Sequence, residues 1–401
     1  MTVTKQQLKK FPFHPLVFYK ILILKPIEGT KPYLVFIQEL RYHCNNRIIT
    51  KIDKFRKQGP DMYSFRNDYS EGAHPHVLKA LMDTNLEQTV GYGLDPRCET
   101  AANTIRRLCN APNASVHFLV GGTQTNLLVI ESLLQPYEAV IAAHTGHVNV
   151  HETGAIEATG HKVCTVYSPD GKLTPALVES VVKAHSSEHM VLPRLVYISN
   201  TTEVGTVYNK AELTALRHCC DEHHLFLFLD GARLGSALTS PENDLTLEDL
   251  AALTDAFYIG GTKNGALFGE ALVMSAPNDH FRWHIKQRGA MLAKGRLLGV
   301  QFQTLLEDGL YFEIARHANE MAYRLRDGIA VLGYSFPVPS PSNQQFPVLP
   351  NAVIAKLQEM GYEFEIDHTE DEDHTCVRFV TSWATPEHAV NTFLKDLAAC
   401  N

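Results

Sequence analysis

Between residues 115 and 275, short apolar runs alternate with amphipathic stretches. SVHFLV at 115–120, AVIAA at 139–143, KVCTVY at 162–167, RLVYIS at 194–199, LFLFLD at 225–230 and AFYIG at 256–260 are strand candidates. Helical patterns such as TPALVESVVKAH at 174–185 and NKAELTALRHCCDEHH at 209–224 separate them. Strand and helix in strict alternation predict parallel strands joined by helical crossovers, hence a layered α/β sheet. Ligands of such sheets bind beyond the carboxyl ends of the strands.

Upstream, residues 62–110 predict a helix after Pro75 and another from Asp95 to Cys109. Downstream, a long helix is expected from about Gly295 to Leu332, followed by the proline-rich break FPVPSPSNQQFPVLP at 336–350. VRFVTSW at 377–383 as a strand and PEHAVNTFLKDLAA as a helix make a smaller α+β unit. The expected division is therefore 1–61 as an N-terminal extension, 62–290 as the large domain, and 291–401 as the long helix with the small domain.

Composition sharpens two points. The net charge of −8 argues against a general nucleic-acid binder. Residues 1–61 nevertheless carry +8 and residues 62–401 carry −16, which marks the first sixty residues as a separate compositional unit. They contain no bilayer-length apolar run and no secretion signal. A mitochondrial presequence favours Arg and Ser, yet the first 40 residues have neither. We expect this extension to be poorly ordered or peripheral, and the working part to start near Met62. Eight cysteines without a CxxC pair read as reduced thiols in a cytoplasmic protein.

LFLFLDGARLG at 225–235 and FYIGGTKNGALFG at 257–269 carry the candidate chemistry, with Asp230 and Lys263 33 positions apart. Each apolar run ends on one ionisable residue beside glycine. Pyridoxal phosphate needs that pair: a lysine to bind it and a carboxylate to keep its pyridine nitrogen protonated. An apolar setting lowers a lysine pKa and frees its amine. VHFLVGGTQTNLLVIESLL at 116–134 is strand, glycine turn, helix. There Gly121, Gly122 and Thr123 suit a phosphate at the positive helix end. HTGHVNVHETGAIEATGH at 144–161 holds His144, His147, His151 and His161. No carboxylate or cysteine completes a recognisable metal spacing, so no metal is expected. A histidine stacked on an aromatic cofactor, or a surface helix, remains.

In order along the chain, FRNDYSEG at 65–72, GYGLDP at 91–96, VGGTQTN at 120–126, HTGHVNVHETGA at 144–155, LDGARLG at 229–235, GGTKNGALFGE at 260–270 and VRFVTSWAT at 377–385 resemble the threonine aldolase and aromatic amino acid β-eliminating lyase family. The resemblance covers about 62–401. It implies the aspartate aminotransferase-like fold of fold type I: an α/β, mostly parallel sheet with flanking helices and a smaller α+β C-terminal domain. It also implies pyridoxal 5′-phosphate as cofactor and an amino acid as substrate. The implied activity is cleavage of L-threonine or L-allo-threonine to glycine and acetaldehyde. Elimination, racemisation or transamination of another amino acid is the alternative.

By the same resemblance Lys263 is the Schiff-base lysine and Asp230 the partner of the pyridine nitrogen. Arg233 and Arg378 face the substrate carboxylate, with Asn67 where the family usually has serine. Gly122 and Thr123 form the phosphate cup. His147 stacks on the ring and is the leading candidate for the hydroxyl base. Arg296 reaches a phosphate across a subunit boundary, and Tyr92 lies in a tyrosine–glycine turn. A homodimer or homotetramer with shared sites is implied. Two departures stand out. Thr262-Lys263-Asn264 replaces serine, lysine, glycine. Ser199-Asn200-Thr201-Thr202-Glu203 replaces a segment that usually carries a histidine near the β-hydroxyl, at Thr202.

Overall fold

The computed structural model describes residues 62–275 and 278–400. The expectation for residues 1–61 lies outside the described residues. Seven strands form the main sheet: β1 Ser115–Leu119, β2 Glu138–Ala143, β3 Val163–Val166, β4 Leu192–Ser199, β5 Phe226–Asp230, β6 Ala256–Gly260 and β7 Glu270–Met274. Their spatial order is β1-β7-β6-β5-β4-β2-β3. β2, β3, β4, β5 and β6 pair in parallel, whereas β7 runs antiparallel to both β1 and β6. β1 to β6 therefore all point one way, and the sheet is mixed.

Alternate residues of the central strands feed two cores. Leu227, Leu229, Phe257 and Ile259 belong to one, and Phe228 and Tyr258 to the other. That is why these strands read as unbroken apolar runs: helices cover both faces. The same alternation puts Asp230 on the face of Phe228 and, through the register Tyr197↔Phe228 and Ser199↔Asp230, beside Tyr197.

The long helix expected over 295–332 is broken. Arg296–Leu306 and Leu310–Val331 are separate helices, because Asp308 and Gly309 both take left-handed backbone angles, φ 53° and 77°. Past them lies a small antiparallel sheet of β8 Gln344–Gln345, β9 Val348–Pro350, β10 Glu365–Thr369 and β11 His374–Val380. Phe65 is fully buried in its core, and its backbone bonds Glu363 and Val380. The segment at 62–68 is thus stitched onto the C-terminal unit. The cysteines from Cys98 to Cys400 are free and buried. No helix among the described residues is long and apolar enough to cross a membrane.

Candidate active site

Because β1 to β6 share a direction, one sheet edge gathers Gly121 after β1, His147 after β2, Glu203 after β4, Asp230 at the end of β5 and Lys263 after β6. The reversed β7 adds Glu270 at its amino end. Beyond this edge opens a cavity of about 880 Å³ lined by Thr123, His147, Asp230, Arg233, Lys263 and Arg378, among others.

Asp230 is buried and held by four donors. Tyr197 Oη lies 2.6 Å from Oδ2, Asn126 Nδ2 3.1 Å from Oδ2, and the Ala232 amide 3.0 Å from Oδ1, while the Tyr258 hydroxyl also donates to Oδ1. Burial alone would raise this carboxyl. His147 and the two tyrosines outweigh it and keep Asp230 below its ordinary value. A carboxylate built to stay ionised at the cavity floor suits a protonated pyridine.

Lys263 has no hydrogen-bonded or ion-paired partner among the described residues. Burial, then the Arg233 guanidinium, hold its ammonium below the ordinary range. Its amine is thereby freed for bonding to a carbonyl. Beside it Glu270 accepts from Thr262 Oγ1 at 2.8 Å and from the Gly261 amide at 3.1 Å, and burial pushes its carboxyl up to about 8.

Gly122 opens the helix Gly122–Leu133, and no side chain caps that end. The first amides of a helix lack partners within it, so Gly122 and Thr123 present free N–H groups to an anion. Four residues into this helix, Asn126 Nδ2 donates to Glu152 Oε1 at 2.7 Å as well as to Asp230. Glu152 Oε1 in turn holds His147 Nδ1 at 2.8 Å. A carboxylate there takes the Nδ1 proton, so Nε2 is the ring nitrogen not engaged by Glu152. Of the other histidines, His144 and His151 also line the cavity and His161 does not. His144 Nδ1 accepts from the Ser168 amide, and His161 Nδ1 faces the Glu138 carbonyl. His151 stands 5.5 Å from the His147 ring, centre to centre.

Arg233 grips Asp68 with Nε at 2.8 Å and Nη2 at 3.1 Å, which leaves Nη1 without a protein partner. Arg378 is different: its Nε is buried without any partner. Burial, then Arg233, lower its pKa. Arg233 and Arg378 line one cavity; Asp68 takes two donors of Arg233, and Glu365 lies opposite Arg378 across the strand pair, so Nη1 of Arg233 and Nε of Arg378 are the donors left for a further carboxylate.

Not every expected residue reaches the cavity. Asn67 Oδ1 caps a turn, accepting from the Tyr69 amide and Ser70 Oγ. Its neighbour Asp68 is the residue turned inward. Arg296 bonds Thr84 Oγ1 and the Asn85 carbonyl, and Tyr92 lies half-exposed, its carbonyl bonded by Arg282. Thr202 is buried and tied to Thr206 Oγ1 at 2.7 Å. The residues that sequence reasoning passed over are Asp68, Asn126, Glu152, Tyr197, Tyr258 and Glu270. Period-two spacing from Asp230 across the paired strands was the signal available for Tyr197.

The profile of the beta-eliminating lyase family matches residues 65–352. A low specificity L-threonine aldolase of Pseudomonas sp. (strain NCIMB 10558) is 33% identical over 348 residues, 84% of this chain and 97% of that one. The low specificity L-threonine aldolase of Saccharomyces cerevisiae is 28% identical over 278 residues, 64% of this chain and 70% of its own length. The solved threonine aldolase of Leishmania major is 52% identical, with a TM-score of 0.82 over 84% of this chain and 99% of that one. An aspartate aminotransferase of Thermus thermophilus shares the fold at 16% identity, with a TM-score of 0.64 over 94% of this chain and 100% of its own. Pyridoxal phosphate is the cofactor of this group. The free amides at Gly122 and Thr123, the ionised Asp230 and the unpaired Lys263 amine fit its phosphate, ring nitrogen and aldehyde. The chain therefore belongs to the beta-eliminating lyase family, as a pyridoxal phosphate-dependent lyase.

Proposed function

We propose that this lyase is a threonine aldolase, which splits L-threonine and L-allo-threonine into glycine and acetaldehyde. The observation that carries the reading is Arg378, a buried guanidinium with an unpartnered Nε in the cavity that also holds Lys263 and the His147–Glu152 pair. An α-carboxylate satisfies Arg378 and the free Nη1 of Arg233 together. A β-hydroxyl then has a proton acceptor in His147 Nε2.

Gly122 and Thr123 would hold the phosphate, Asp230 the ring nitrogen, His147 one face of the ring, and Lys263 the aldehyde carbon. When bound, pyridoxal phosphate supplies an electron sink for the pair left on the substrate Cα. The chain does the rest. Arg233 and Arg378 fix the carboxylate, which sets the orientation of the Cα–Cβ bond. His147 takes the hydroxyl proton at Nε2 while Glu152 steadies Nδ1, and the Lys263 amine would handle the proton at Cα.

The oligomeric proposal rests on Tyr92 and Arg296. Neither is among the residues that line this cavity; Arg296 is matched to an arginine that reaches a phosphate across a subunit boundary, and Tyr92 to the family's tyrosine–glycine turn. A homodimer or homotetramer with shared sites accommodates them. The cytoplasm is the proposed compartment, in keeping with the free, buried thiols.

The test is incubation with L-threonine, L-allo-threonine, serine and aromatic amino acids, with every product identified. Equal amounts of glycine and acetaldehyde are expected. Release of ammonia and a 2-oxo acid would assign the chain to β-elimination instead.

A further inference from the structure

We infer that Glu203 is a second acceptor for the substrate's β-hydroxyl proton, beside His147, and that it sets how the two threonine epimers are treated. This rests on the aldolase reading above.

Glu203 follows β4 on the loop that lines the same cavity as Lys263 and His147. Its two oxygens are used differently. Oε1 is pinned by the His147 amide at 2.8 Å and by Ser199 Oγ at 2.7 Å. Oε2 accepts from no other residue among the described ones, although the residue's own backbone amide also bonds the carboxylate, and it is not one of the sealed, unpartnered atoms. With Glu203 among the residues that line the cavity, Oε2 is the oxygen left to meet a donor there. No lysine, arginine or histidine side chain forms an ion pair with Glu203 among the described residues. The two donors on Oε1 offset part of the cost of burying this carboxylate, and a donor at Oε2 would offset more. Burial, working against the Ser199 hydrogen bond and helped by Asp230, pushes its carboxyl up.

The alternative role is purely structural: a carboxylate that caps His147 at the start of the helix His147–Val150. One oxygen suffices for that role, and the other is left to meet a donor. The adjacent Thr202 cannot substitute, since its hydroxyl is turned inward onto Thr206. The acid side chain that this loop presents to the cavity is Glu203.

The step balances as follows. The β-hydroxyl O–H bond breaks and its proton goes to Glu203 Oε2. The freed pair forms the aldehyde C=O bond as Cα–Cβ breaks, and the Cα–Cβ pair stays on Cα. A proton added at Cα completes glycine, and Oε2 releases its proton to water. Threonine and allo-threonine place the hydroxyl on opposite sides of Cβ. Two acceptors serve both, where one would favour a single epimer.

The experiment compares wild type and Glu203→Gln as full-length holoenzymes. Three quantities are read: kcat/KM for each epimer, deuterium exchange at Cα of glycine, and the pH titration of the cofactor's absorbance band. Glycine has no hydroxyl, so it reports on the site without this step. We expect the ratio of kcat/KM between epimers to change by about tenfold or more, while glycine exchange and the titration stay within about twofold. Equal losses on both epimers, a matching loss of glycine exchange, or no loss at all would each overturn the inference. Should Glu203→Gln fail to hold cofactor, Glu203→Asp keeps the charge, draws Oε2 back, and reads the same ratio. A wild-type protein that forms no glycine from either epimer would sink the aldolase reading itself, which separates that failure from this one.

Discussion

Asp68 and Arg233 are locked as a two-point ion pair, 2.8 and 3.1 Å, although 165 residues separate them. Asn343 Nδ2 completes the set at 2.9 Å from Asp68 Oδ2. Burial alone would raise the Asp68 carboxyl, but Arg233 and Lys263 outweigh it and hold it below its ordinary value. Asp68→Asn removes the carboxylate that Arg233 grips and leaves two guanidiniums in one cavity with less counter-charge. Removing one partner of such a buried pair costs about 3–5 kcal/mol. The melting temperature of the variant should drop and should recover more than that of wild type when a small carboxylate is added. Equal stabilisation of both proteins by the carboxylate would show that the cavity guanidiniums do not bind it.

Arg378→Lys should raise KM for amino acids by ~10–100-fold, the equivalent of one or two charge-assisted hydrogen bonds. Lysine keeps the charge and loses the planar fork. The cofactor spectrum should not change. An unaltered KM would place Arg378 outside the substrate contact.

Asp230→Asn should retain cofactor and lose turnover by ~10²–10⁴-fold, the range of a key proton-managing group. The hydroxyls of Tyr197 and Tyr258, which can accept as well as donate, remain to hold the amide in place. Near-normal turnover would reduce Asp230 to a structural anchor.

Glu270 gives a pH signature in the cofactor-free protein. Its folded-state pKa is raised from 4.5 to about 8. Between those values the folded chain keeps a proton that the unfolded chain has released, so stability is full below the lower value and declines toward the upper one. The share due to Glu270 is on the order of a few kcal/mol. Melting temperatures at pH 5 and pH 8 should therefore differ less in Glu270→Gln than in wild type. Parallel profiles would mean that Glu270 is already ionised in the fold.

Shared sites predict complementation. Lys263→Ala and Arg296→Ala should each be inactive alone. Refolded together, they should regain activity well above either parent, because some assemblies pair an intact lysine with an intact arginine. A mixture as dead as its components would confine each site to one chain.

The sheet was legible from its apolar runs because both faces of the central strands are buried, so no polar alternation interrupts them. β7 was not, since it begins on the buried polar Glu270 and follows a glycine-rich loop. The helix break at Asp308 and Gly309 was hidden by apolar periodicity that continues on both sides of it. Lys263, Asp230, Arg233, His147 and Arg378 could be nominated from the sequence because each lies in or beside an apolar run within an ordered motif, and all five line one cavity. Asp68, Glu152 and Glu203 were not, because their meaning is a partner far along the chain. Asp68 next to Asn67 looks like one more turn residue until Arg233 is seen against it.

Asn126 has a further bearing on how the protein loses its cofactor. One amide group spans the carboxylate below His147 and the carboxylate at the sheet edge, and it rides on the helix whose first turn faces the phosphate. The residues proposed to hold the ring, its nitrogen and the phosphate would thus be linked through one side chain. Dissociation should be all-or-none, a single exponential without a half-released species. Asn126→Asp, which sets a third negative charge between two others, should speed that release without altering the products formed.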